Sequence, residues 1–264
     1  MNYRNLLVHL DQGERSNERF NLALELAGRF GARLSLYYGT PFPFVGQESE
    51  RRLRAGLLAE CRARAEAVGV DLEWRDDADV LVHQPLLARL NYQAFFADLT
   101  IVGQPAPGNG GESATPKDLP ERLILTSGRP VLTVPYAGEF ERVGSRVMVA
   151  WRTGRASSRA LLDSLPLLVG AESVHLLSFV TSRGELPLAG EAMRRLKTYL
   201  SAHGVEAESE VRMISNIGFG DALLNRVTDE AVDLLVAGGP LPTAPAPMAA
   251  KVLREMTVPV LMSS

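Results

Sequence analysis

The sequence predicts an α/β protein of two tandem open sheets, each with about five parallel strands flanked by helices. Three observations predict it: an internal duplication, a regular alternation of apolar strand and amphipathic helix, and strands that are apolar on both faces. The segment from Asn5 to Tyr38 runs strand, polar turn, helix, short turn, strand, and Arg146 to Val180 repeats that order. The ends of the repeat agree as well. Ala97-Asp98-Leu99-Thr100-Ile101-Val102-Gly103 parallels Val232-Asp233-Leu234-Leu235-Val236-Ala237-Gly238, and Pro130-Val131-Leu132 parallels Pro259-Val260-Leu261. A period this long marks a duplicated domain.

The elements follow in chain order. Leu6, Leu7, Val8 and Leu10 form a nearly continuous apolar run, as a strand covered on both faces requires. Phe20, Ala23, Leu24, Ala27 and Phe30 then fall on one helical stripe. Arg19 is matched to Arg159 as an equivalent helix position. Leu53, Leu57, Cys61 and Val68 mark a second helix, with Leu188, Ala192, Leu196, Tyr199 and His203 as its counterpart. His83 is expected near the end of a third strand. The linker Pro135-Tyr136-Ala137-Gly138-Glu139-Phe140 divides the chain into domains 1–138 and 143–264. Right-handed crossovers between parallel strands leave few topologies open.

Composition narrows the function classes. With Lys+Arg 28 against Asp+Glu 31, no positive field draws the chain to nucleic acid or lipid headgroups. One cysteine, Cys61, excludes an internal disulfide and a thiolate zinc site. No apolar run approaches the roughly 20 residues of a membrane span. The first residues lack the basic-then-apolar order of a signal peptide, so a cytoplasmic protein without membrane contact is expected. His9, His83, His175 and His203 show no metal-ligand spacing, and no nucleophile elbow or Walker loop occurs. His9 and His175 lie in strand runs and read as hydrogen-bonded structural residues, and Cys61 as a small core residue.

In an open parallel sheet, ligands sit beyond the carboxyl ends of the strands, where strand order reverses. That singles out Asp11, Gly103 and Lys117-Asp118 in the first half. In the second half it singles out Trp151-Arg152, Gly238-Gly239 and Ala246-Pro247. Through these residues, the duplicated 97–103 run and the two terminal Pro-Val-Leu strands, the chain resembles the tandem universal stress protein (UspA-like) family. The resemblance covers essentially its whole length. It implies a Rossmann-like, adenine nucleotide alpha hydrolase-like fold with strand order 3-2-1-4-5 in each domain. It also implies terminal strands that pair across a two-fold, as an intrachain pseudo-dimer or a homodimer.

ATP-binding members of that family carry Gly-x2-Gly-x9-Gly-(Ser/Thr) after the fourth strand. Counted from Gly103, the second glycine is Ala106 and the last pair is Pro116-Lys117. Counted from Gly238, these positions hold Leu241 and Lys251-Val252, so the second site, with Gly238 and Gly239, reads as degraded. Arg152 or Trp151 replaces its first-strand aspartate. The first-domain loop, Pro107 to Ser113, reads as a surface segment. The expectation is thus a non-enzymatic stress-response protein that binds a small ligand or protein partner, with no cofactor and no metal. The alternative keeps one ATP, ADP or AMP site in domain 1, built from Asp11, Gly103, Gly110 and Gly111. Lys117 and Lys251, each a candidate phosphate cation, read as solvated lysines. A weak phosphohydrolase is a third reading, for which no residue stands out.

Overall fold

The computed structural model describes residues 2–40, 48–77, 81, 83–105, 115–241 and 247–264. Gly110 and Gly111, with the rest of the loop after Gly103, lie outside them, as does Ala246. Contacts within the chain divide it into an N-terminal unit, Asn2–Arg142, and a C-terminal unit, Val143–Ser264.

The N-terminal unit comprises β1 (Asn5–Leu10), α1 (Ser16–Phe30), β2 (Arg33–Tyr38), α2 (Glu48–Ala67) and β3 (Leu72–Arg75). It continues through α3 (Leu86–Ala94), β4 (Leu99–Gly103), α4 (Leu119–Ser127) and β5 (Val131–Val134). Its strands run parallel in the order β3-β2-β1-β4-β5, so the order reverses between β1 and β4. Leu6, Leu7 and Val8 are fully buried, because helices cover both faces of a central parallel strand. Phe20, Leu22, Ala23, Leu26 and Ala27 form the buried face of α1. Gly31 ends that helix at φ 59°, a left-handed turn that a side chain rarely adopts.

The C-terminal unit repeats the plan. It contains β6 (Arg146–Ala150), α5 (Arg155–Val169), β7 (Ser173–Val180), α6 (Leu186–Ser201) and β8 (Glu208–Met213). After these come α7 (Phe219–Asp229), β9 (Leu234–Gly238), α8 (Pro247–Glu255) and β10 (Val260–Ser263). Its parallel order is β8-β7-β6-β9-β10. Both units therefore have the 3-2-1-4-5 order.

The duplicated aspartate has the same structural task in each unit. Asp98 accepts the backbone N–H groups of Arg4 and Asn5 at 2.7 and 2.9 Å. Asp233 accepts those of Gly144, Ser145 and Arg146 at 2.9, 2.9 and 3.1 Å. Each ties down the start of its unit's first strand, at the amino ends of the parallel strands.

The helix stripes differ from expectation where a helix flanks an edge strand. On α2, Cys61 and Ala65 are buried, while Leu53 and Val68 are exposed. On α6 the buried line is Met193, Leu196 and Leu200, and Leu188 and Tyr199 face outward. An edge strand covers a narrow band of a helix, so apolar residues flanking that band remain in solvent. His83 sits in the turn before α3, eight residues beyond β3, and is exposed. Burial pushes the Cys61 thiol up to about 11, which keeps it protonated and inert at neutral pH.

Candidate functional site

In the N-terminal unit, β1 and β4 deliver Asp11 and Gly103 to the same end of the sheet, and Arg19 from α1 spans both. Its Nη2 donates to Asp11 Oδ1 at 2.7 Å and to Ser16 Oγ at 2.9 Å, and its Nε donates to the His9 carbonyl at 3.1 Å. A Cβ added to Gly103 would lie 2.4 Å from Arg19 Nη1. Gly103 is thus the position over which this guanidinium packs. Asp11 also accepts the Gly13 N–H and the Ser16 hydroxyl on Oδ1, and the Thr115 hydroxyl on Oδ2 at 2.8 Å. Burial alone would raise the Asp11 carboxyl. The Arg19 guanidinium, with His9 and the hydrogen bonds of Thr115 and Arg19, instead holds it well below the usual range.

Two further residues complete this buried polar layer. His9 is buried beside Asp11, with Nε2 2.9 Å from the Gly39 carbonyl. Arg89, also buried, donates to Asp77 at 2.7 Å, to the Tyr37 hydroxyl at 3.1 Å and to the carbonyls of Gln84 and Thr40. Burial, partly countered by Asp11 and reinforced by Arg19 and Arg89, lowers the His9 pKa, so the imidazole is neutral in the fold.

The sign for stability follows from that shift. The unfolded chain takes up a proton at His9 below about pH 6.5, and the folded unit takes one up only at lower pH. As pH falls through about 6.5 the N-terminal unit is therefore expected to lose stability, by at most about 1.4 kcal/mol per pH unit, and Asp11 adds its own loss only below about pH 4. Urea unfolding followed at Trp74 in a Trp151→Phe background, which leaves one tryptophan, checks this. His9→Gln should flatten the upper segment, and an unchanged slope in that variant would refute the assignment.

Strand register aligns the two units residue by residue. Leu10 continues level with Gly103, and Trp151 with Gly238. Ser16 Oγ accepts the Asp11 N–H at 3.0 Å, and Ser157 Oγ accepts the Arg152 N–H at 3.4 Å. Asp11 thus corresponds to Arg152, and Arg19 to Ala160 rather than to Arg159. The Arg19–Arg159 match is off by one: Gly13 and Ser16 align with Gly154 and Ser157 without a gap, and that same spacing pairs Arg19 with Ala160. Arg159 is partly exposed and pairs with Asp163 at 2.8 Å.

The exchange of arginine for alanine changes the site. Over Gly238 the first turn of α5 packs directly, with Ser157 N and Oγ 2.8 and 3.0 Å from where a Cβ would lie. Outward of that contact lies a cavity of about 440 Å³ at the carboxyl ends of β6, β7 and β9. Its walls are Trp151, Leu177, Phe179, Phe219, Leu223, Leu241 and Met248, and Phe179 and Phe219 meet edge to face at 6.3 Å. The polar side chains of the lining are Arg152, Thr153, Arg155 and Ser157, without a carboxylate or amide. Thr153 accepts the Trp151 indole N–H at 3.3 Å. A pocket of this size and apolar character, with a few convergent polar groups, is what small-molecule sites share.

The remaining candidates are placed as follows. Gly238 and Gly239 line the cavity. Lys117 is exposed in the turn before α4. Lys251 pairs with Asp221 and Glu255 at 3.0 and 2.9 Å. Among the described residues no His, Cys, Asp and Glu group is placed to hold a metal, and no helix is long and apolar enough to cross a membrane. Sequence reasoning reached Trp151, Arg152, Gly238 and Gly239 but missed Phe179, Phe219 and Met248. The available signal was Ile217-Gly218-Phe219, an apolar pair flanking the glycine before α7.

No protein-family model and no curated protein matches the chain. Solved structures do. A universal stress protein from Archaeoglobus fulgidus DSM 4304 is similar with a TM-score of 0.74 and 14% identity, over 98% of both chains. A putative universal stress protein from Pseudomonas aeruginosa UCBPP-PA14 gives 0.62 and 17%, over 98% of this chain and 92% of the other. The cytoplasmic domain of a prokaryotic cation chloride cotransporter gives 0.55 and 13%, over 98% and 94%. One architecture thus serves proteins of different kinds, and function must be argued from the site. What these likenesses establish is that the chain has the α/β fold of the universal stress proteins.

Proposed function

We propose that the chain is a universal stress protein-type, non-enzymatic stress-response protein that acts by binding a small ligand in the C-terminal unit. The observation that carries this is the contrast between the strand ends: Arg19 packs over Gly103 at one, and an apolar cavity of about 440 Å³ stands at the other. The groups around the cavity are arginines and hydroxyls held in their own loop, which suit recognition rather than proton transfer.

The fold's association with ATP does not suit either site. In the N-terminal unit, four donors besides the burial-driven packing already engage Asp11, and Arg19 lies against Gly103. In the C-terminal unit, the aromatic walls offer no side-chain amide or carboxylate to read a base edge or a ribose. Native mass spectrometry of the full chain tests the reading. A released small-molecule mass is expected, and Leu241→Trp, which fills the cavity mouth, should abolish it. Saturable ATP binding weakened by Asp11→Ala, with no effect of Leu241→Trp, would replace this reading with a nucleotide site in the N-terminal unit.

A further inference from the structure

We infer that the ligand of the C-terminal cavity is an aromatic acid: a flat apolar ring system bearing one anionic group. The inference rests on the cavity being the binding site and adds the chemistry of its occupant. Three observations specify that chemistry.

The first is shape and surface. Trp151, Phe179 and Phe219 present rings from three separate elements, the β6–α5 loop, β7 and α7, with Leu177, Leu223 and Met248 between them. Rings converging on one space favour a planar apolar body, which gains both burial and ring–ring contact.

The second is charge. Among the described residues the lining contains two cationic side chains, Arg152 and Arg155, and no acidic one. Both are exposed, and neither has an ion-pair partner among the described residues. Strand register shows the local sign to be reversed between the units, since Arg152 occupies the position of Asp11. A planar guanidinium presents paired donors that match a carboxylate or a similar oxyanion.

The third is where those charges sit. Both arginines flank the start of the 15-residue helix α5, whose N-cap, Gly154, supplies no side-chain bond to its first N–H groups. The helix start adds to the positive potential at one end of an otherwise apolar space. A ligand with its ring between the aromatic walls and its anion toward residues 152–155 satisfies both regions. A polyanion would have to place charge against the rings, and a neutral ring would leave the arginines unused.

The test is calorimetric titration of the full chain with 2-naphthoate and with its neutral isostere 2-naphthamide. Saturable binding of the naphthoate is expected, about tenfold tighter than the amide. Arg152→Gln with Arg155→Gln should bring the naphthoate to the level of the amide and leave the amide within about twofold. These arginines are exposed, so the variant keeps its fold. Equal binding of both compounds, unchanged in the double variant, would overturn the aromatic-acid inference while leaving the cavity as a neutral-ligand site. Absence of binding by both at millimolar concentration, or binding that Leu241→Trp leaves intact, would overturn the cavity reading with it.

Discussion

Ala160→Arg is expected to destabilise the C-terminal unit by about 4 kcal/mol or more, enough to unfold it. Ala160 is buried on α5, and α5 packs directly against Gly238, so a longer side chain has no room without displacing the helix. A guanidinium there would also meet Arg152 instead of a carboxylate. Burial of a charge without a partner is among the costliest changes a fold can take. Adding Arg152→Asp transplants the pair found in the N-terminal unit and should recover about 1–3 kcal/mol. The measurement is urea unfolding followed at Trp151 in a Trp74→Phe background. A single variant that loses less than 1 kcal/mol, or a double variant no better than the single, would show that residue 160 does not set the spacing of helix and strand.

The reciprocal change, Arg19→Ala, should cost the N-terminal unit about 3 kcal/mol. Its loss leaves the buried Asp11 carboxylate with hydroxyl and backbone donors only and removes the donor to the His9 carbonyl. Arg19→Lys should restore little, because one ammonium cannot reach Asp11, Ser16 and the His9 carbonyl at once. In an Asp11→Asn background the same truncation should cost less, since no charge is then stranded. Urea midpoints read at Trp74 supply the comparison, and a lysine variant as stable as the parent would dismiss the fork geometry as the source of the stability.

These two expectations concern equivalent positions of the duplication. The duplication and the β/α alternation were readable because each rests on local spacing: apolar runs for β1 and β6, helical stripes for α1 and α5. The equivalence of Arg19 and Ala160 was readable as well, since a gapless match from Asn5 and Arg146 pairs them, and pairing arginine with arginine takes a one-residue gap. The contacts of Arg19 with Asp11 and Gly103 were not, because they join residues from three elements. Phe179 and Phe219 lie on β7 and α7, far apart in sequence, so no local spacing brings them together. The edge helices misled in the other direction, with Leu53 and Leu188 on apolar stripes that the edge strands leave uncovered.

The sequence by itself determined that the chain folds as a doubled parallel α/β unit. Hydrophobic period and turn chemistry act over a few residues, and that range suffices for this conclusion. Only the tertiary structure decided that the two ends differ, with Arg19 seated over Gly103 in one unit and an aromatic-walled cavity beyond Gly238 in the other. The reason is physical: the space above a strand end is set by side chains from several elements far apart in sequence, which local patterns do not bring together.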